Sequence, residues 1–413
     1  MTDLYVAPGG AYPTIPAAAA AASPGTVIHV AQGTYAGGFE TAASGTSSAQ
    51  IIYVCDAPMG CVVRGGGATG GGEAVMWRQA GSYTTMSGFL LDGSSSPQIR
   101  ALLYVTGGNN IISANRFQSL LTDPAQFAAQ QGSGGGAVTL ADYYQGSKAF
   151  GNHVLGNVIL NVGPPGATSS TVHSVYNDSQ STTLSDNCII GSAGAGIHNW
   201  GDPANAIVQN NTVLSAKMGI LVGGSGAVAS GMTVSKNIVA NNKYGISEQG
   251  STGAGNTYSG NLTWNDGAYE YSLQTGIQTG GISADPMLTN ATTSCSIAAA
   301  SPAIPPGIGV NGAGTSLSAP KPAAAPPPVA TATPVATDTA TIPTGEYLVT
   351  VTKGSETTAV TINGFVIGSD VLKLSGFGAT PTIADSTAGV VISTDGSTIT
   401  LDGVHDTSVL SSP

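Results

Sequence analysis

Charge is what this sequence has least of. Asp, Glu, Lys and Arg make up 8% of 413 residues, 22 acidic against 11 basic, for a formal charge of −11. That share is about a third of the usual one. No run of Lys or Arg occurs, so the phosphate-neutralising footprint of a nucleic-acid binder is missing. A polyanionic carbohydrate would meet the same repulsion unless a local basic groove or bound cations intervened. No apolar run reaches the roughly 18 to 20 residues of a membrane span. The opening MTDLYVAPGG lacks the basic and apolar regions of a signal peptide. The four cysteines, at 55, 61, 188 and 295, form no CxxC unit of the kind that holds zinc. There is no DD or DxD pair for hydrolysis by closely placed carboxylates. The residues imply no cofactor and no metal.

What the chain does have is small residues and a repeat. Hydrophobic residues reach 41% and glycines number 59, a composition for many short strands and tight turns rather than for disorder. VQNNTVLSAKMGI (208–220) and VSKNIVANNKYGI (234–246) share an Asn eight residues ahead of a Gly-Ile pair. Asparagines before short apolar pairs recur at Asn115, Asn157, Asn187, Asn211, Asn237 and Asn261, with steps of 42, 30, 24, 26 and 24. Gly-Ile pairs begin at Gly196, Gly219 and Gly245. The apolar positions lack a 3.6-residue period, so the repeat is not helical. Short strands returning every 23 to 26 residues fit the rungs of a parallel β-helix, each strand pairing with its counterpart one rung away. Asn187, Asn211, Asn237 and Asn261 are then expected to form a ladder of stacked amides. The left-handed backbone that Asn tolerates is the expected reason for Asn at that corner.

Both flanks agree. TIPAAAAAASPGTVIHVAQGTY (14–35) reads as an Ala-rich helix stopped by Ser-Pro-Gly and followed by a strand. Such a helix would cover the open end of a solenoid. With ADPMLTN (284–290) and SPAIPPG (301–307), this stretch resembles the right-handed parallel β-helix superfamily that includes pectate lyase-like proteins. The resemblance spans about residues 4–310. It implies an all-β solenoid with an N-terminal capping helix, and it specifies a fold far more than a reaction. The 42-residue step predicts a loop leaving the coil at 122–148, and GPPGATSS (163–170) a smaller excursion.

The expected domains are residues 1–310 as the β-helix, 311–342 as a Pro/Ala/Thr-rich extended linker, and 343–413 as a small β domain. Asp395-Gly396 lies between two alternating runs, a strong hairpin signal. INGFVIGSDVLKLSGFG (362–378) resembles C-terminal regions of proteins exported by type I secretion, which implies an uncleaved C-terminal signal. That family's calcium-binding nonapeptides are absent, so calcium is not carried over. A plain β-sandwich or adhesion module is the other reading of this tail.

Candidate chemistry is sparse. A rung offset that aligns Ser174-Val175 with Gly196-Ile197 stacks Tyr176 beside His198, with His173 and Trp200 close by. His173, Tyr176 and His198 are the weak catalytic candidates, an acid/base group; ordinary polar decoration of a sheet face is the alternative. Trp200, Tyr143 and Tyr144 are candidate sugar contacts. Lys148, Lys217, Lys236 and Lys243 fall at scattered rung positions, and Arg64, Arg78, Arg100 and Arg116 belong to earlier rungs and irregular segments, with no shared basic column. Cys55 and Cys61 either close a small surface loop or stay as two free buried thiols.

Two functions remain open. Low charge, a regular solenoid and the weak catalytic signal favour a secreted structural protein at a bacterial surface or in its matrix, self-associating head to tail into a fibre. The alternative is a polysaccharide lyase or epimerase acting on an acidic exopolysaccharide.

Overall fold

A computed structural model of the protein describes residues 2–69, 74–95, 99–141, 149–201, 203–290 and 295–309, and towards the C-terminus 329–332, 337–341, 348–352, 359–363, 371–375, 381–402 and 404. Tyr143 and Tyr144 lie outside the described residues. Two compact units divide at Pro322–Ala323.

The first unit is a parallel β-helix. One face is an 11-stranded sheet that begins with Thr2–Val6 and ends with Ile277–Thr279. The other faces belong to an 18-stranded sheet that folds around the same core. Registers explain why like residues recur. On the first face Ile28, Tyr53, Met86, Ile112, Val154, Leu184, Val208, Val234 and Tyr258 stack one per rung. All are buried, and each contributes about 1.5–3 kcal/mol by leaving water. The column stops at Gln278, on the exposed last strand. Trp77, Leu103, Val138, Val175, Ile197, Ile220 and Ile246 form a second buried column.

The helix Ile15–Ala21 starts at Thr14, whose hydroxyl accepts from the Ala17 amide, with Pro16 in its first turn. It buries Ile15, Ala18 and Ala19 against the first strands. At the corner, each Asn from 115 to 237 donates its amide N–H to the next Asn at 2.9–3.2 Å, through to Asn261. Each also donates to a main-chain carbonyl on the preceding rung. The backbone reason given for these asparagines needs correction. Positive φ falls on the residue before each of them, Ala114, Gly156, Asp186, Asn210, Lys236 and Gly260. Asn is therefore used for its two-sided amide, not for left-handed φ.

The long step between Asn115 and Asn157 is only partly a loop. Helix Pro124–Gln130, capped by Asp123, is inserted, but Gly135–Ala141 rejoins the sheet between Ala101–Val105 and Val172–Asp178. Cys55 is bonded to Cys61, and Cys188 to Cys295 across 107 residues. The second bond ties the segment holding Ile297, Ala303 and Ile308 over an apolar outer face of Ile190, Leu214 and Ile238.

The second unit has a three-stranded parallel sheet and a five-stranded mixed sheet. Strands Val329–Ala332 and Thr337–Thr341 belong to it, so part of the 311–342 segment is paired strand rather than free linker. Asp395 and Gly396, at φ 49° and 78°, turn the hairpin between Gly389–Thr394 and Ser397–Asp402. Val360, Ile362, Val390, Ile392, Ile399 and Leu401 fill its core.

Candidate functional site

Strand alternation puts Val175, Ile197 and Ile220 inside and their neighbours on the outer face. Tyr176 pairs with His198, and His198 with Leu221, in consecutive rungs. This outer column is the floor of a cleft of about 840 Å³. Its walls come from distant parts of the chain: Arg100 and Tyr104, the Gly134–Gly135 turn, Ser170–Thr171, Lys217, and Tyr244 with Tyr269.

His173 and His198 are the buried centre of this site, at 1% and 7% exposure. Their rings lie 4.1 Å apart, and His198 Nδ1 is 2.9 Å from His173 Nε2. The Ala195 amide donates to His173 Nδ1 at 3.0 Å. Burial lowers His173 well below the ordinary imidazole value, with His198 and Lys217 adding to the effect and the Ser170 main chain opposing it. Burial takes His198 down to about 3. Both rings are therefore neutral at physiological pH. His198 Nε2 is buried with no hydrogen-bond partner among the described residues.

Aromatic rings surround the pair. Tyr176 meets His198 edge-on at 5.3 Å, and Trp200 lies 5.4 Å from it. Trp200 can lie there because Gly223 and Gly250 leave room: a Cβ on either would come within 2.9 Å of the indole. Met218, Leu221 and Tyr244 complete an apolar patch with Trp200. The Lys217 ammonium is held by the Ser169 carbonyl at 3.0 Å and the Ser170 hydroxyl at 3.1 Å. The GPPGATSS excursion thus serves as a bracket for the cation. Asp178 also lines the cleft.

No protein-family model and no curated protein matches this chain. Among solved structures it is similar to the PL6-family alginate lyase AlyGC, at 14% identity and TM-score 0.28, over 90% of this chain and 68% of that one. Pectate lyase Pel9A matches at 13% and TM-score 0.37, over 78% and 90%. XylC in complex with xylose matches at 10% and TM-score 0.41, over 95% and 89%.

The structure brings His173, Tyr176, His198 and Trp200 into one cleft. It also places there Arg100 and Lys217, which rung spacing alone had scattered, together with Tyr244 and Tyr269. One signal was available: Tyr244 pairs with Met218 one rung away, and both precede the Gly-Ile markers. Arg100 had none, because it reaches the cleft from the irregular stretch before Ala101–Val105.

Proposed function

We propose that this protein is a secreted β-helix that takes a segment of an acidic polysaccharide into the Tyr176–His198 cleft and acts on it as a lyase or epimerase. One observation carries the reading: a neutral imidazole pair, two cations and five aromatic rings converge on a single trough. Aromatic faces suit the apolar faces of sugars. Arg100 and Lys217 supply the local basic groove that a chain of net charge −11 needs to accept a polyanion. In β-elimination the proton on C5 of a uronate passes to a base, and the C4–O4 bond breaks. A C4=C5 double bond forms and O4 takes up a proton. Epimerisation instead returns a proton to the opposite face of C5. Both build negative charge on the adjoining carboxylate, which cations and N–H donors stabilise. Tyr176 is assigned the proton transfer, since burial disfavours the imidazolium form of His173 and His198 and so makes both rings weak bases.

The test is incubation of the full chain with pectate, alginate and other acidic exopolysaccharides. Unsaturated uronates are read by ultraviolet absorbance, and epimerisation by deuterium uptake at C5. Absence of both, together with no binding to any acidic polymer, sinks the proposal. Two disulfides fit an oxidising compartment and support export. The assignment of residues 343–413 as an export signal is tested by deleting them and following secretion through a type I system.

One observation favours the structural reading. The last strand, Ile277–Thr279, is an exposed sheet edge with Ile277 at 67% exposure, open to head-to-tail pairing. Electron microscopy over a range of concentrations decides it; monomers throughout would remove it.

A further inference from the structure

The buried imidazole pair has one proton arrangement that satisfies its hydrogen bonds. A main-chain N–H cannot give up its proton or rotate away, and the Ala195 amide points at His173 Nδ1 from 3.0 Å. That nitrogen is therefore the acceptor. A neutral His173 then carries its proton on Nε2, and the atom facing it at 2.9 Å, His198 Nδ1, must accept. A neutral His198 in turn carries its proton on Nε2, the buried atom without a partner among the described residues. The opposite direction would place a proton on His173 Nδ1 and set it against the Ala195 N–H. An additional proton on either ring would set two hydrogens against each other, either between the rings or at Ala195.

The backbone is shaped for this contact. A Cβ on Gly194 would sit 2.7 Å from His173 Nδ1 and 2.2 Å from the Val172 carbonyl oxygen. Only glycine lets the chain bring the next amide onto the ring.

We propose that the relay from the Ala195 amide through His173 makes His198 a fixed hydrogen-bond donor, and that its Nε2–H recognises a carboxylate oxygen of the sugar acid in the cleft. The anionic acceptor follows from the neighbours: Lys217 and Arg100, which offer donors only, line the same cleft and outnumber its one carboxylate among the described residues, Asp178. The relay stands on geometry alone; the identity of the acceptor rests on the acidic-polysaccharide reading above. His173 is a positioning residue, acting through His198. It follows that neither histidine is the base, and that proton transfer belongs to another group, Tyr176.

The experiment is two-bond ¹⁵N–¹H correlation NMR of the imidazoles in the full-length labelled chain, from pH 8 to pH 5. His173→Gln and His198→Gln assign the signals among the 5 histidines. The expected result is a bare Nδ1 and a protonated Nε2 on both rings throughout. A proton on Nδ1 of either ring, or titration near the ordinary imidazole value, overturns the relay. Oligogalacturonate and oligomannuronate are then titrated in, with a neutral xylan oligomer as control. A shift of the His198 Nε2–H with a uronate supports the carboxylate assignment. A shift with xylan alone, or with none of the three, overturns that assignment and leaves the relay standing. His198→Leu should weaken uronate binding by roughly 10- to 100-fold, whereas His198→Gln, which keeps an N–H donor, should recover most of it. Equal losses in both variants would refute donor recognition.

Discussion

Two side-chain columns run along the coil, one polar at every rung and one mixed. At the corner, Asn115 to Asn261 repeat one residue, and each amide both donates and accepts, so every rung satisfies its neighbour. On the cleft face, Thr139, Tyr176, His198 and Leu221 occupy successive rungs of a single column. No two are alike, and one nitrogen is left without a protein partner among the described residues. A ladder of identical groups closes on itself and contributes stability. A broken one leaves a polar group that a ligand can satisfy, and that is where function belongs.

The largest effect should come from interrupting the ladder. Asn211→Ala removes the acceptor for the Asn187 amides and the donors to Leu184, Gln209 and Asn237. It should cost about 3–5 kcal/mol of unfolding free energy, the sum of several buried groups left unpaired. Urea denaturation checks it, and a loss below about 1 kcal/mol would erase the contrast between the columns. On the cleft side, Tyr176→Phe should leave the denaturation midpoint in place while lowering turnover about 10²–10⁴-fold. A variant that keeps full activity would remove Tyr176 from proton transfer.

Acid should separate the columns as well, since only the cleft side titrates. The folded values of His173 and His198 are depressed, so the unfolded chain takes up protons first as pH falls. Stability contributed by the neutral pair is present above about 6.5 and is lost progressively below it, for His198 down to about 3. The slope is up to about 1.4 kcal/mol per pH unit for each ring. His173→Gln combined with His198→Gln should flatten that part of the profile. Unchanged acid sensitivity would show that the rings are not held neutral.

The smallest effect is expected where a ladder ends in a carboxyl. Asp266 accepts from the Asn242 main-chain and side-chain amides at 2.8 and 2.9 Å. Burial pushes its carboxyl up to about 7; the Asn242 hydrogen bonds oppose the rise and Glu270 reinforces it. Its folded value is raised, so it favours the fold at low pH, and that contribution is lost as pH rises from about 4 through 7. Asp266→Asn keeps the ladder acceptor and removes the titration. It should stabilise the protein at pH 8 and leave pH 4 nearly unchanged; equal effects at both pH values would contradict this.

Much of the coil was legible before any coordinates. The Asn and Gly-Ile spacings marked the rungs, and the one-rung offset paired Tyr176 with His198. The Asp395-Gly396 signal located the hairpin. The cleft was far less legible. Its floor comes from adjacent rungs, but Arg100, Lys217 and Tyr269 enter from separate segments with no common offset. Lys217 is aimed by the GPPGATSS excursion, whose length the sequence reveals and whose path it does not. The Cys188–Cys295 bond was missed for the same reason, since rung spacing says nothing about a segment that returns across the outside of the coil.

By itself, then, the sequence determined the solenoid. Strand pairing one rung away depends only on local period, and each rung repeats the same local choice of Asn, Gly and an apolar pair. Tertiary structure alone decided what the outer face could do. The proton direction through His173 and His198 depends on one main-chain amide, admitted by Gly194, and on burial that disfavours the charged form of either ring. Those are properties of packed atoms from several rungs, and no single segment encodes them.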